Sequence, residues 1–131
     1  MISNSLLYGK HAQMIKVTIL LRRNQALNPE QFVAHHKGKH AALFTSIAIV
    51  KDTVRGYVQQ HSLGIAVPGL PDPKYDGATE LWFDDIESFG RCFSDPEYMR
   101  IVRPDEITFL DLAACDFLIS TQNVIVPVLQ I

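Results

Sequence analysis

The chain has 131 residues, of which 47% are apolar and 20% charged, with a formal charge of −2 at neutral pH. That length supports one packed core and not two, and the composition is that of a folded chain rather than a disordered one. The near-neutral balance lacks the basic patch that nucleic acid or an anionic membrane demands, and Cys92 and Cys115, far apart and without a Cys-x-x-Cys spacing, point to reduced thiols in a cytoplasmic protein.

Residues 1–13 carry Ile2, Leu6 and Leu7 in a stretch too short and too interrupted for a signal peptide or a membrane span. They are read as an N-terminal tail, ahead of a domain that runs from Met14 through residue 131. Ile15–Leu21 places Ile15, Val17, Ile19 and Leu21 on one side of a period-two ribbon and is the first strand. Asn28-Pro29-Glu30-Gln31 supplies an N-cap, a proline at the first helical position and an acidic first turn, starting a helix expected to reach about Ile49. Thr53–His61 is the second strand, with Arg55, Tyr57, Gln59 and His61 on one face and Val54, Gly56, Val58 and Gln60 on the other.

The segment Ser62–Gly77 is rich in proline and glycine and reads as a long loop. Ala78–Phe83 is the third strand, with Ala78, Glu80 and Trp82 opposite to Thr79, Leu81 and Phe83. Asp84-Asp85-Ile86-Glu87 opens a second helix through Phe93, Asp95-Pro96-Glu97 restarts a short piece to about Ile101, and Pro104-Asp105-Glu106 starts a third leading to Leu110. Asp116–Val126 is the last strand, bounded by Pro127. The order βαββαβ defines an α+β, ferredoxin-like fold, an antiparallel sheet with helices on one face. The other face needs cover, which a second copy would supply in a dimeric α+β barrel.

His36 and His40 lie four apart on the first helix and share a face with Phe32 and Phe44. Imidazole both takes and gives a proton near neutral pH, which general acid–base work needs. The competing reading is a solvated face shared by His35, His36 and His40 with Lys37 and Lys39. No zincin glutamate or third ligand accompanies the His-x-x-x-His spacing, so no metal is expected. No phosphate loop, nucleophile elbow or dinucleotide fingerprint is present, so no cofactor is expected either. If the Tyr57, Gln59 and His61 face turns inward, His40 and His61 would converge with Tyr57 across a pocket between helix and sheet, with Asp76 orienting a histidine or holding a substrate hydroxyl. The aromatic residues Trp82, Phe89, Phe93, Tyr98 and Phe109 suit a core or a dimer contact, and some of them could wall a pocket for a flat aromatic ligand.

Several motifs, in order, resemble the EthD-like family of small cofactor-free proteins. They are Met14-Ile15-Lys16 with Leu21-Arg22-Arg23, Asn28-Pro29-Glu30-Gln31-Phe32, and His35-His36-Lys37-Gly38-Lys39-His40-Ala41-Ala42-Leu43. Arg55-Gly56-Tyr57-Val58-Gln59-Gln60-His61, Tyr75-Asp76-Gly77 leading into Trp82, and Asp105-Glu106 with Phe109-Leu110-Asp111 continue the likeness over roughly residues 14 to 125. His36 stands where many members have a bulky aromatic, and Gly56 separates Arg55 from Tyr57 where members often have them adjacent. The resemblance implies a cofactor-free homodimer acting on an aromatic or polyketide-like acid as a decarboxylase or dehydratase. His40 and His61 would exchange protons, Tyr57 would hold the oxygen that becomes an enolate, and His36, Asp76, Phe32, Phe44, Gln59 and Trp82 would bind the substrate. A non-catalytic binding or accessory role, or a cofactor-free monooxygenase or isomerase of the same barrel type, is the alternative it implies.

Overall fold

A computed structural model describes residues 14–129, so the expected tail at 1–13 lies outside the described residues. Strands β1 (Ile15–Leu21), β2 (Val54–His61), β3 (Gly77–Phe83) and β4 (Asp116–Ser120) form one four-stranded sheet in the order β2-β3-β1-β4. All pairings are antiparallel. Between β1 and β2 come α1 (Pro29–His35), a π-helical turn (His36–His40), α2 (Ala41–Ser46) and α3 (Ala48–Thr53). Between β3 and β4 come α4 (Ile86–Ser94), a second π turn (Tyr98–Val102), α5 (Arg103–Phe109) and a 3-10 turn (Leu112–Ala114). This is the ferredoxin-like α+β arrangement that the element order implies.

The start of α1 follows its sequence closely. Asn28 Oδ1 accepts from the Gln31 N–H at 2.8 Å, and Gln31 Oε1 accepts from the Asn28 N–H at 2.9 Å, a reciprocal capping box. The single helix expected as far as Ile49 is instead broken. Ile47 adopts extended backbone between α2 and α3 and is only 2% exposed, its side chain driven into the core. Just before it, the hydroxyls of Thr45 and Ser46 donate to Ala41 and Leu43 carbonyls, bonds that compete with a helical ladder.

Two strand expectations also change. Val54 pairs with Phe83 but the next partners are Gly56 and Trp82, so Arg55 is an extra residue in the ladder. That bulge puts Val54 on the same side as Tyr57, Gln59 and His61, and sends Arg55 outward to Asp84 at 3.0 Å. The last strand stops at Ser120, opposite Lys16, because β1 begins only one residue earlier and offers no further partner. Residues 124–126, 128 and 129, all aliphatic except for the intervening proline, are exposed beyond it.

The helix-facing side of the sheet contributes Val17, Leu81 and Phe83 to a core completed by Phe44, Ile47, Val50, Cys92, Tyr98 and Val102. A second cluster joins Leu21, Phe32, Phe109 and Leu110. Lys16, Val58, Glu80, Trp82 and Leu118 alternate onto the opposite face, which no helix among the described residues covers, and there Lys16 pairs with Glu80 and lies 5.1 Å from the Trp82 ring centre. Among the described residues no helix is long and apolar enough to cross a membrane.

Candidate active site

A cavity of about 270 Å³ opens between the sheet and the helices. Ile19, Phe44, Leu81, Phe93, Phe109 and Phe117 supply apolar wall, and the polar lining comes from His36, His40, Tyr57, Thr79, Tyr98, Arg103 and Glu106. The histidines arrive there because α1 and the π turn carry them over the sheet as one aromatic column. Phe32 stacks on His36 at 5.6 Å and His40 on Phe44 at 6.3 Å, with the His36 and His40 rings tilted against each other at 5.9 Å between them. His36 is 1% and His40 8% exposed, which rules out the solvated-face reading for both.

His40 is held by a carboxylate from α5. Its Nδ1–H donates to Asp105 Oδ2 at 3.0 Å, and because a carboxylate only accepts, the ring proton sits on Nδ1. Nε2, with no hydrogen-bond partner among the described residues, keeps its lone pair. Burial lowers the His40 pKa from its ordinary value, outweighing Asp105, which raises it. The ring is therefore neutral near pH 7, as a proton acceptor needs to be.

His36 is placed differently. Nδ1 lies 3.0 Å from His61 Nε2 and Nε2 lies 3.0 Å from Thr79 Oγ1, so both ring nitrogens are engaged. Burial, followed by the neighbouring histidines, drives its pKa down to about 3. Tyr57 comes from the inward face of β2. Gln59 Nε2 donates to the Tyr57 oxygen at 2.7 Å and to the His36 carbonyl at 2.8 Å, which leaves the phenol proton itself for a cavity acceptor. Burial raises the Tyr57 pKa, keeping it a neutral donor.

A second polar cluster joins the same cavity. The Tyr98 phenol donates to Glu106 Oε2, and Arg103 Nε lies 2.7 Å from Glu106 Oε1. Burial raises the pKa of both Tyr98 and Glu106. Among the described residues no group of three His, Cys, Asp or Glu side chains is disposed to hold a metal ion.

The EthD domain model matches residues 24–113, more than half of the chain. The chain belongs to the EthD domain family. No match was found among curated proteins. An ethyl tert-butyl ether D (EthD) family protein from Bacillus halodurans is similar in structure, with a TM-score of 0.63 and 19% identity over 84% of this chain and 99% of that one. A dimeric ferredoxin-like protein of unknown function from Thermobifida fusca follows with a TM-score of 0.59 and 16% identity over 83% and 91% of the two chains. SnoaB, a cofactor-independent oxygenase from Streptomyces nogalater, has a TM-score of 0.59 and 10% identity over 88% and 98%.

In this EthD-domain chain the cavity brings together His40, Tyr57, His36 and Phe44 from the expected set. His61 does not converge on His40. It sits behind His36 and off the cavity wall, because His36 occupies the space between them. Asp76 orients no histidine; its carboxylate takes the Arg23 N–H at 2.8 Å and the Arg23 guanidinium at 3.2 Å, tying the long loop to the end of β1. Phe32 packs beneath His36, Gln59 acts through Tyr57, and Trp82 lies on the opposite face of the sheet, so none of the three lines the cavity. The partner of His40 was not anticipated: Asp105 stands 65 residues away, in an acidic pair whose role no local spacing reveals. Thr79, Arg103 and Glu106 are likewise brought in by tertiary packing, while Phe93, Tyr98 and Phe109, three of the aromatics read as possible pocket wall, do line the cavity.

Proposed function

We propose that this EthD-domain protein is a cofactor-independent lyase that removes water or carbon dioxide from an aromatic or polyketide-like acid, with His40 as the proton acceptor. The observation that carries this reading is the His40–Asp105 pair, with an unpartnered Nε2 on a neutral imidazole at an apolar cavity. In the dehydration form, Nε2 takes the proton from a carbon beside a carbonyl and the C–H electron pair becomes an enolate. The Tyr57 O–H donates to the developing oxyanion. The enolate then expels the β-hydroxyl, which leaves as water with the proton held on His40. In the decarboxylation form the bond to the carboxylate breaks instead, its pair forms the enolate, and the carbon takes a proton from His40 once the neutral ring has itself taken one from solvent.

The test is turnover on a panel of hydroxylated aromatic and polyketide acids in the presence of a chelator, following loss of carbon dioxide or water. Wild-type turnover that collapses in His40→Ala, with folding intact, supports the lyase. Turnover that consumes dioxygen would reassign the site to oxygenation. Tight binding without turnover, indifferent to His40, would make this a binding protein.

The working unit of this reading is a homodimer. Its support is the sheet face that no helix among the described residues covers, where Val58 is 44% and Leu118 59% exposed, together with a neighbour described as dimeric. Sedimentation velocity giving a monomer at working concentrations would overturn it.

A further inference from the structure

His35 and His40 stand five residues apart, and an unbroken α-helix would turn their side chains about 140° away from each other. They nonetheless meet on one carboxylate. His35 Nε2–H donates to Asp105 Oδ1 at 2.9 Å and His40 Nδ1–H to Asp105 Oδ2 at 3.0 Å. What reconciles the spacing with the contact is the π turn His36–His40, whose wider backbone loop carries an extra residue. The second π turn, Tyr98–Val102, precedes a different arrangement, in which Glu106 takes Arg103 one turn before it on the same helix and Tyr98 eight residues before it.

We propose that His35 is a positioning residue for His40, and that the π turn exists to set the two imidazoles astride Asp105. This rests on His40 being the base of the proposed reaction. A carboxylate bonded through one oxygen is free to rotate, whereas one bonded through both is fixed in plane and aims Oδ2 at a single point. Fixing Oδ2 keeps the His40 proton on Nδ1 and the lone pair on Nε2. His35 does not line the cavity, and its ring packs 4.7 Å from that of Phe109, so it acts through Asp105 and not on a ligand. Lys39 Nζ, 3.9 Å from Oδ1 on a largely exposed side chain, adds charge but no orientation.

The experiment is nitrogen NMR of the histidine rings in the full chain without ligand, in wild type, His35→Phe and His35→Gln. Phe keeps a ring against Phe109 and removes the donor; Gln restores an amide donor toward Oδ1. Wild type is expected to show His40 protonated at Nδ1 alone, His35→Phe to add the Nε2–H form, and His35→Gln to bring back the wild-type pattern. On any substrate that turns over, His35→Phe is expected to lower kcat about 10- to 100-fold at unchanged KM, with rescue by Gln. If His35→Phe does not fold, His35→Asn, too short to reach Oδ1, takes its place. A His40 tautomer unchanged in the donorless variant, or unrestored by Gln, overturns the proposal. The tautomer is read without substrate, so absence of turnover would sink the lyase and leave the clamp standing.

Discussion

Acid should unfold this protein through its histidines before its carboxylates. His36 is 1% exposed and its pKa is lowered from 6.5 to about 3 by burial and by neighbouring imidazoles. The unfolded chain takes up that proton near pH 6.5, and the folded one only near pH 3. Between those values the unfolded state holds more protons, so acidification favours it; above 6.5 neither state is protonated and the penalty vanishes, and below 3 both are and the loss levels off. One such proton costs about 1.4 kcal/mol per pH unit, or about 2.7 kcal/mol two units below the ordinary histidine value. That is a substantial share of a total stability of about 5–15 kcal/mol. His40 and His61, whose pKa values are also lowered by burial, add losses of the same sign. The assay is urea unfolding from about pH 7.5 to about pH 4.5, in wild type and His36→Leu. The variant will be less stable throughout, since Thr79 and His61 lose a partner, but its slope with pH should fall by about one proton. Equal slopes in the two proteins would refute the buried neutral His36.

Tyr57→Phe keeps the ring contact with Phe44, centred at 5.1 Å, and removes the donor to the oxyanion together with one of the two acceptors of Gln59 Nε2, so kcat should fall about 10²- to 10³-fold while the fold persists. The pH profile of turnover should rise through an acid limb centred below the ordinary histidine value of 6.5, because the reaction needs neutral His40 and its pKa is lowered; a limb above 6.5 would remove His40 from the role. Gly77→Ala should cost more stability than Gly56→Ala in urea unfolding, with about 3 kcal/mol or more for the former. A Cβ at Gly77 would come within 2.4 Å of the Gln60 carbonyl oxygen inside the β2–β3 ladder, whereas one at Gly56 meets the Trp82 ring at 2.9 Å, a side chain that can give way more readily than backbone.

Local patterns carried the sequence reading where neighbours in the chain decide the outcome. Ile15, Val17, Ile19 and Leu21 alternate and face the helices; Asn28 and Gln31 cap each other; Phe32, His36, His40 and Phe44 stack along one stripe. The failures share a physical cause. The bulge at Arg55 inserts one residue and moves Val54 across the sheet, and its one local mark, Gly56 inside the strand, does not say which residue is inserted. The π turn His36–His40 likewise hides inside ordinary helical composition, yet it decides which side chains reach Asp105. Asp76, at the end of the long loop, reads as an orienting carboxylate, but the loop end pairs it with Arg23, and the carboxylate that His40 meets comes from α5.

The resting protonation of the cavity also separates the two forms of the proposed lyase. Of its polar lining, the two groups placed in the proposed reaction are a neutral acceptor, His40, and a neutral donor, Tyr57, while the one lining cation, Arg103, is already engaged by Glu106. Dehydration uses such a site without further supply: the proton taken by Nε2 returns on the leaving hydroxyl, and His40 ends as it began. Decarboxylation instead consumes one proton from solvent in every turnover, which a neutral, buried imidazole is poorly charged to deliver. Loss of water is therefore the better match to this site. Turnover in deuterated water decides it, since a decarboxylated product must carry a solvent deuteron at the carbon that lost the carboxylate, and release of carbon dioxide with that label would overturn the preference.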